Sequence, residues 1–269
     1  MFSFARVTLI VLTLLSCNDH AQPAAEHAPS IRITVADKPP PVDAKLQAER
    51  DEYVAAAMAF TTSSHDDVLA KIHGAPMKEE WSAWEKTGPM TDARTKQFYK
   101  QTKNYIYDLG SWHLWTADKR ESDLALVDDM RAAKPKNILD FGGGVGFNSL
   151  MLAQAGFDVT LADLDSATLQ FASLRADRQH VTLKFWKSDV DAMPPDKKYD
   201  VILCLDVLEH LPEGELREIV DKLIKLKHPT TKVIIHAPFG RTDVHPMHLE
   251  ATGETLRQVE RLKTELPKE

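Results

Sequence analysis

The stretch Asn137-Ile-Leu-Asp-Phe-Gly-Gly-Gly-Val-Gly-Phe-Asn148 decides the fold. Its apolar start predicts a buried strand that ends at an acid, Asp140, and a helical pattern starts at Ser149. Four glycines stand between them: Gly142, Gly143, Gly144 and Gly146. Glycines allow a sharp turn and a close approach of a ligand to the main chain, while the next helix presents unpaired N–H groups. The stretch predicts a cofactor loop rather than a purely structural turn.

The sequence alternates between strand and helix patterns over residues 119–269. Apolar segments predict strands at 138–141, 158–162, 181–186, 201–205 and 232–236. A helix over 214–226 places five apolar residues on one face: Leu216, Ile219, Val220, Leu223 and Ile224. This order predicts an α/β fold with a doubly wound, mostly parallel sheet that binds ligands at the carboxyl ends of its strands.

Composition excludes several classes of function. The 269 residues carry a formal net charge of −7, which gives no general attraction to nucleic acid or to an anionic membrane. Cys17 and Cys204 stand in such different contexts that we expect no disulfide framework. We therefore expect no nucleic-acid partner, and membrane contact only through an N-terminal anchor.

The first 17 residues resemble an export signal. Arg6 precedes an apolar run that is too short to span a bilayer, and Leu14-Leu15-Ser16-Cys17 resembles a bacterial lipobox. An uncleaved hydrophobic tail or a start codon chosen in error are the alternatives. We therefore expect a lipid-anchored or exported protein if this signal functions, and a cytoplasmic protein if it does not. Residues 18–42, rich in Pro and Ala, predict a tether.

Residues 43–118 predict a helical, aromatic-rich cap. Asp43 is a candidate N-cap of its first helix, further helices are expected near 66–73, 77–86 and 92–107, and Gly110 is expected to interrupt helical structure. Aromatic residues at helical spacing usually form core. The dense aromatic and polar segment 105–115 is nevertheless a candidate substrate entrance, with four candidate contacts: Tyr105, Tyr107, Trp112 and His113.

The glycine loop alone leaves the cofactor open, because nicotinamide, flavin and S-adenosylmethionine domains all use such a loop. A nicotinamide dinucleotide site needs G-x-G-x-x-G/A, and that pattern would place bulky Phe147 where a small residue is required. An acid at Asp140 suits the amino group of a cationic ligand better than a pyrophosphate. The run Asp140-x-Gly142-x-Gly144-x-Gly146 resembles the first motif of class I S-adenosylmethionine-dependent methyltransferases. A nicotinamide-dependent oxidoreductase remains the alternative enzyme class.

This resemblance implies further cofactor contacts. Asp163, which follows the second strand, would bind the ribose hydroxyls, and Asp189 would bind the adenine amino group; Asp165 and Asp191 compete for these roles. The segment 204–211 resembles the family's "VLEH" signature. The predicted cofactor residues are Asp140, Gly142, Gly143, Gly144, Gly146, Asp163, Asp189 and Leu205. The implied reaction is methyl transfer from S-adenosylmethionine to O or N of a small molecule or peptide by in-line displacement.

His210 and Glu209 are the candidate catalytic residues. His210 follows the fourth predicted strand, where a general base would stand, although both residues could simply begin the next helix. Asp206-x-x-Glu209-His210 also resembles the run with which ubiquinone-biosynthesis and small-RNA 3′-end O-methyltransferases hold a divalent cation, completed here by His245 or His248. Because metal-free relatives share the Leu-Glu-His run, the metal is left open.

The carboxyl-terminal part departs from the family pattern. Only about thirty residues follow Phe239, and they predict a charged helix rather than the family's last antiparallel hairpin. A non-catalytic exported lipoprotein that uses this fold as a binding module is the non-enzymatic alternative. The cytosolic origin of S-adenosylmethionine supports that alternative if the N-terminal signal functions.

Overall fold

The computed structural model describes residues 42–192 and 197–267. The predicted signal segment and nearly all of the predicted tether therefore lie outside the described residues. Of the described helices, none is long and apolar enough to cross a membrane. The boundary at residue 118 between cap and α/β domain stays a prediction.

Five parallel strands form the sheet, in the order β3-β2-β1-β4-β5. The strands are β1 (Asn137–Phe141), β2 (Asp158–Asp163), β3 (Lys184–Lys187), β4 (Tyr199–Leu205) and β5 (Lys227–His236). The order reverses between β1 and β4, so the carboxyl ends of these two central strands flank the switch point where such sheets bind ligands. The predicted α/β class is confirmed. Within the described residues, no strand follows β5.

The third strand begins three residues later than predicted. Val181 donates its N–H to the carbonyl oxygen of Ala176 (2.9 Å), and His180 has a φ of 54°. These two features close the end of the preceding helix, as a left-handed residue after a helix commonly does. Val181 is thereby used as a helix cap and cannot pair in the sheet.

The helices that flank the sheet follow their sequence signals. Ser166 caps α8 through the N–H of Leu169 (3.4 Å), and the five predicted apolar residues of α9 are all buried or nearly so. Thr252 begins the last helix with a reciprocal capping box to Thr255. The bounds are α6 (Ala117–Ala133), α7 (Phe147–Gln154), α8 (Ala167–Arg178), α9 (Glu213–Lys225) and α10 (Gly253–Thr264).

Within the described residues, five helices precede α6, and one predicted helix is divided in two. They are α1 (Ala44–Thr61), α2 (His65–Gly74), α3 (Pro76–Lys86), α4 (Asp92–Gln101) and α5 (Tyr105–Trp115). The single helix predicted over 92–107 was wrong because Thr102 adopts an extended conformation (ψ 137°). Its hydroxyl donates to Glu80 (2.6 Å) and accepts the N–H of Asn104 (3.1 Å), which fixes the break.

Gly110 lies inside α5 rather than between helices. A Cβ at this position would stand 2.3 Å from Cε1 of the Tyr53 ring, so only glycine permits this packing. Tyr53 in turn donates its hydroxyl to the carbonyl of Ile106 and stacks on Phe147, the first residue of α7 (5.2 Å between centroids). Gly110 thus lets α1 and α5 pack together beside the end of the cofactor loop.

Candidate cofactor and acceptor site

The glycine loop is a tight turn held by backbone bonds. Gly142 donates its N–H to Ala162 at 2.7 Å, and Gly146 donates to Gly143 at 2.8 Å. Gly144 has a φ of 55°, in the left-handed region that disfavours side chains. The structure therefore places the loop at the carboxyl end of β1, beside the end of β2, as predicted.

Asp163 stands directly against this loop. One carboxylate oxygen accepts the N–H of Gly144 (2.8 Å) and the other accepts that of Leu164 (2.7 Å). Burial raises the pKa of Asp163 to about 6, although these two hydrogen bonds act to lower it. Each oxygen keeps a second lone pair, so the group can still accept hydrogen bonds from ribose hydroxyls.

Asp140 is buried at the end of β1. Its carboxylate accepts the hydroxyl of Ser149 in α7 at 2.6 Å. Burial raises the pKa of Asp140 to about 6 as well. Two desolvated carboxylates beside one glycine loop form an environment that favours a cationic ligand over a pyrophosphate.

Asp189 lies on the far side of β2, and a lysine covers it. One oxygen accepts the N–H of Asp165 (2.8 Å), and the other accepts the ammonium of Lys100 from α4 (2.6 Å). Burial opposes ionisation here, but these bonds outweigh it and lower the pKa of Asp189. The competing acids are engaged elsewhere: Asp165 pairs with Lys187 (3.2 Å), and Asp191 accepts the backbone N–H of Lys187 (2.9 Å).

A second polar cluster lies after β4, in the short turn Leu208–His210. Nε2 of His210 and Nε2 of His248 lie 4.0 and 3.9 Å from the same oxygen of Glu209. The loop that carries His248 is tied to this turn because Leu249 donates its N–H to the carbonyl of Glu209 (2.8 Å). Two ligand atoms of one ion with bonds of about 2.1 Å lie at most about 4.2 Å apart, so both distances lie just below the largest separation that a shared cation allows.

The two imidazoles of this cluster are in the protonation state of metal ligands, whereas Glu209 must lose a proton to become one. Glu209 is 0% exposed and neither of its side-chain oxygens has a hydrogen-bond partner, so burial raises its pKa to about 8. Burial lowers the pKa of His210 to about 3 and also lowers that of His248. A general base works best with a pKa near the working pH, so a neutral His210 fits a metal ligand better than the predicted base.

Tyr99 of α4 orients His210. Nδ1 of His210 lies 3.0 Å from the Tyr99 hydroxyl and 3.4 Å from the carbonyl oxygen of Met247. A carbonyl oxygen only accepts, so the tautomer that bonds Met247 carries its proton on Nδ1 and would leave the lone pair of Nε2 facing Glu209. Sequence reasoning missed Tyr99, as it missed Lys100.

Asp206 does not join the cluster in which the sequence placed it. It has a φ of 57°, and its carboxylate pairs with Nδ1 of His236 at the end of β5 (2.5 Å). Its backbone N–H also donates to the carbonyl of His236 (2.8 Å). Of the run Asp206-x-x-Glu209-His210, the last two residues form a cluster of possible metal ligands with His248.

The four aromatic-segment candidates lie in different surroundings. Tyr105 lies near both halves of the site. Burial raises the pKa of its hydroxyl most, and the nearby negative charges of Glu209 and Asp163 raise it further. Tyr107 is in the apolar core, Trp112 lies under the ammonium of Lys119, and His113 is paired with Asp123 (2.6 Å). Their roles as substrate contacts stay predictions, and so does the role of Leu205 as a cofactor contact.

Comparison with known proteins identifies the class. Residues 138–230 match the sequence family described as "Methyltransferase domain". This match agrees with the methyltransferase resemblance of the glycine loop. The cofactor prediction is confirmed, and the match decides against the nicotinamide alternative.

The curated relatives include ubiquinone biosynthesis O-methyltransferases. That of Rickettsia akari is 34% identical over 98 residues, which are 36% of this chain and 38% of the relative. That of Psychrobacter cryohalolentis is 32% identical over 123 residues, 43% of this chain and 47% of the relative. The chain therefore spans less than half the length of these relatives. Among solved structures, the N-methyltransferase NodS from Bradyrhizobium japonicum aligns with 54% of this chain and 74% of its own, at 17% identity and a TM-score of 0.45.

Proposed function

We propose that this protein transfers the methyl group of S-adenosylmethionine to a hydroxyl oxygen of a small molecule, with a divalent cation at Glu209, His210 and His248. The observation that carries this proposal is the buried Glu209 carboxylate, which has no hydrogen-bond donor and faces Nε2 of both histidines. A buried carboxylate without a partner is strongly destabilising, and a cation offsets that cost. The relatives named as O-methyltransferases support an oxygen acceptor.

The chain's own residues mainly hold the reactants in line. The glycine loop, Asp163 and Asp140 would fix the cofactor so that its methyl group faces the carboxyl end of β4, where Glu209 and His210 stand. Holding the two reactants in this geometry can contribute about 7–11 kcal/mol. Tyr99 would keep the imidazole of His210 turned toward Glu209.

The donor set fits a divalent cation. One carboxylate and two neutral imidazoles within 4.8 Å of one another are ligands that several divalent metals accept. A bound cation would favour the deprotonated form of a coordinated hydroxyl. That contribution explains why His210, with a pKa of about 3, need not act as a base at neutral pH.

A methyl-transfer assay tests this proposal. The full chain is incubated with S-adenosylmethionine and, separately, with a panel of catechols, a panel of primary amines and a mixed peptide library, and products are detected by mass spectrometry. We expect methylated catechols, loss of product in EDTA, and recovery on adding Mg²⁺, Mn²⁺ or Zn²⁺. Methyl transfer to amines or peptides alone would contradict the proposed oxygen acceptor. Full activity in EDTA would contradict the proposed role of a cation.

Two variants separate the cation site from general damage. Glu209→Gln removes the carboxylate but keeps its shape, so we expect it to lose the metal-dependent product. Glu218→Gln changes an exposed glutamate on α9 and serves as the matched control. Equal activity of both variants would show that the Glu209 carboxylate takes no part in the reaction.

A further inference from the structure

Two lysines one helical turn apart tie α4 to the rest of the protein. Lys96 pairs with Glu215 of α9 at 2.8 Å, and Lys100 pairs with Asp189 at 2.6 Å. The two lysine side chains are equally exposed, at 39% and 38%. They differ in what they meet, because only Lys100 reaches a predicted cofactor residue.

Lys100 covers one of the two Asp189 oxygens that an adenine amino group could use, and little of this side chain stays exposed. The Asp189 side chain is only 6% exposed, and both its oxygens already accept a hydrogen bond, one from Lys100 and one from the N–H of Asp165. An ammonium and the 6-amino group of adenine are both N–H donors, so they address the same acceptor in the same way. The charged donor is also the stronger of the two.

We propose that Lys100 competes with the adenine amino group for Asp189, so that cofactor binding must break this ion pair. This inference rests on the proposed function, since it takes Asp189 as the adenine acceptor. It makes Lys100 a residue that weakens cofactor affinity rather than one that supports it. Lys96 holds the same helix without touching the cofactor residues named above, and therefore has no such effect on affinity.

The size of the effect follows from the strength of such pairs. A partly exposed ion pair contributes about 0.2–1 kcal/mol, which corresponds to a factor of about 1.4 to 5 in a binding constant. Lys100→Met removes the competing ammonium and keeps the length of the side chain. We expect it to bind S-adenosylhomocysteine about 1.4- to fivefold more tightly than the unmodified chain does.

Titration calorimetry of the full chain with S-adenosylhomocysteine provides the test, with Lys96→Met as the matched control. The expected result is tighter binding for Lys100→Met and unchanged binding for Lys96→Met. Weaker or unchanged binding by Lys100→Met would overturn the inference. An equal gain in both variants would also overturn it, because loosening of α4 would then be the cause.

A second ligand locates the competition at the amino group. We expect the gain of Lys100→Met to vanish for an S-adenosylhomocysteine analogue whose purine lacks the 6-amino group, and the same gain with that analogue would contradict the inference. If neither the unmodified chain nor any variant binds S-adenosylhomocysteine, the proposed function itself fails. Binding by the unmodified chain without a gain in Lys100→Met refutes only the competition.

Discussion

Replacing Glu209 by glutamine should stabilise the metal-free protein and abolish its response to metal. The carboxylate of Glu209 is fully buried, and neither of its oxygens accepts a hydrogen bond. Without a cation, folding must therefore either bury a bare charge or bind a proton. Glutamine has nearly the same shape and carries no charge, so it avoids both costs.

The magnitude follows from the pKa of Glu209, which burial raises from 4.5 to about 8. A carboxyl whose pKa is higher in the folded state than in the unfolded state destabilises the protein at high pH. This loss of unfolding free energy is absent below pH 4.5 and grows until about pH 8. At pH 7 it amounts to about 3 kcal/mol. For a chain of this size, that would raise the melting temperature by about 6–12 °C.

Thermal unfolding in EDTA at pH 4.5 and pH 7 measures this effect. We expect Glu209→Gln to melt higher than the unmodified chain at pH 7 and nearly equally at pH 4.5, with Glu218→Gln unchanged at both. Metal at a hundred times its Kd should stabilise the unmodified chain by about 2.7 kcal/mol and leave Glu209→Gln unaffected. A Glu209→Gln protein that is less stable at pH 7 in EDTA would refute the reasoning.

Three further outcomes follow from the cofactor loop and its support. Asp163 must be ionised to accept hydrogen bonds from both ribose hydroxyls, and its pKa is about 6. Calorimetry at pH 5 should therefore show S-adenosylhomocysteine binding at least about tenfold weaker than at pH 7.5. The Asp163→Asn variant should bind weakly at both pH values, and its affinity should depend less on pH. Gly144→Val should lose S-adenosylhomocysteine binding in calorimetry yet keep its circular dichroism spectrum, because a side chain at a φ of 55° costs about 1–2 kcal/mol and its Cβ meets Leu109 at 3.0 Å. Gly110→Ala should lower the free energy of unfolding by about 1–3 kcal/mol in urea titrations, because its Cβ would stand 2.3 Å from the Tyr53 ring; unchanged stability would show that the α1–α5 contact yields easily.

The sequence predicts the sheet and the cofactor loop well because both depend on short-range patterns. Apolar strands, the glycines after β1 and an acid at or just after the end of each of the first four strands are all local features, and parallel pairing brings the strand ends to one edge. Asp163 therefore meets the loop at Gly144, as expected for neighbouring strands. The errors in β3 and α4 concern ends of elements, which depend on capping bonds such as that of Thr102.

The contacts of α4 could not be predicted. Tyr99 and His210 are 111 residues apart, and Lys100 and Asp189 are 89 apart. No periodicity or spacing connects such positions, because the path of five helices decides which one crosses the strand ends. A surface lysine and a helical tyrosine carry no sequence signal of their own.

The second cluster was predicted in part. The run Glu209-His210 and the later His248 were recognised as candidates, and the structure brings them together. Asp206 was expected beside them, but its left-handed backbone and its pair with His236 turn it toward β5. A side chain's direction after a strand depends on such dihedrals, which a sequence motif does not specify.

The most direct measurement is a calorimetric titration of the full chain with S-adenosylhomocysteine and with NAD, side by side with Asp163→Asn. We expect micromolar binding of S-adenosylhomocysteine, no heat from NAD, and strongly reduced binding by Asp163→Asn. Binding of NAD alone, or S-adenosylhomocysteine binding that Asp163→Asn leaves intact, would contradict the cofactor site described for the glycine loop.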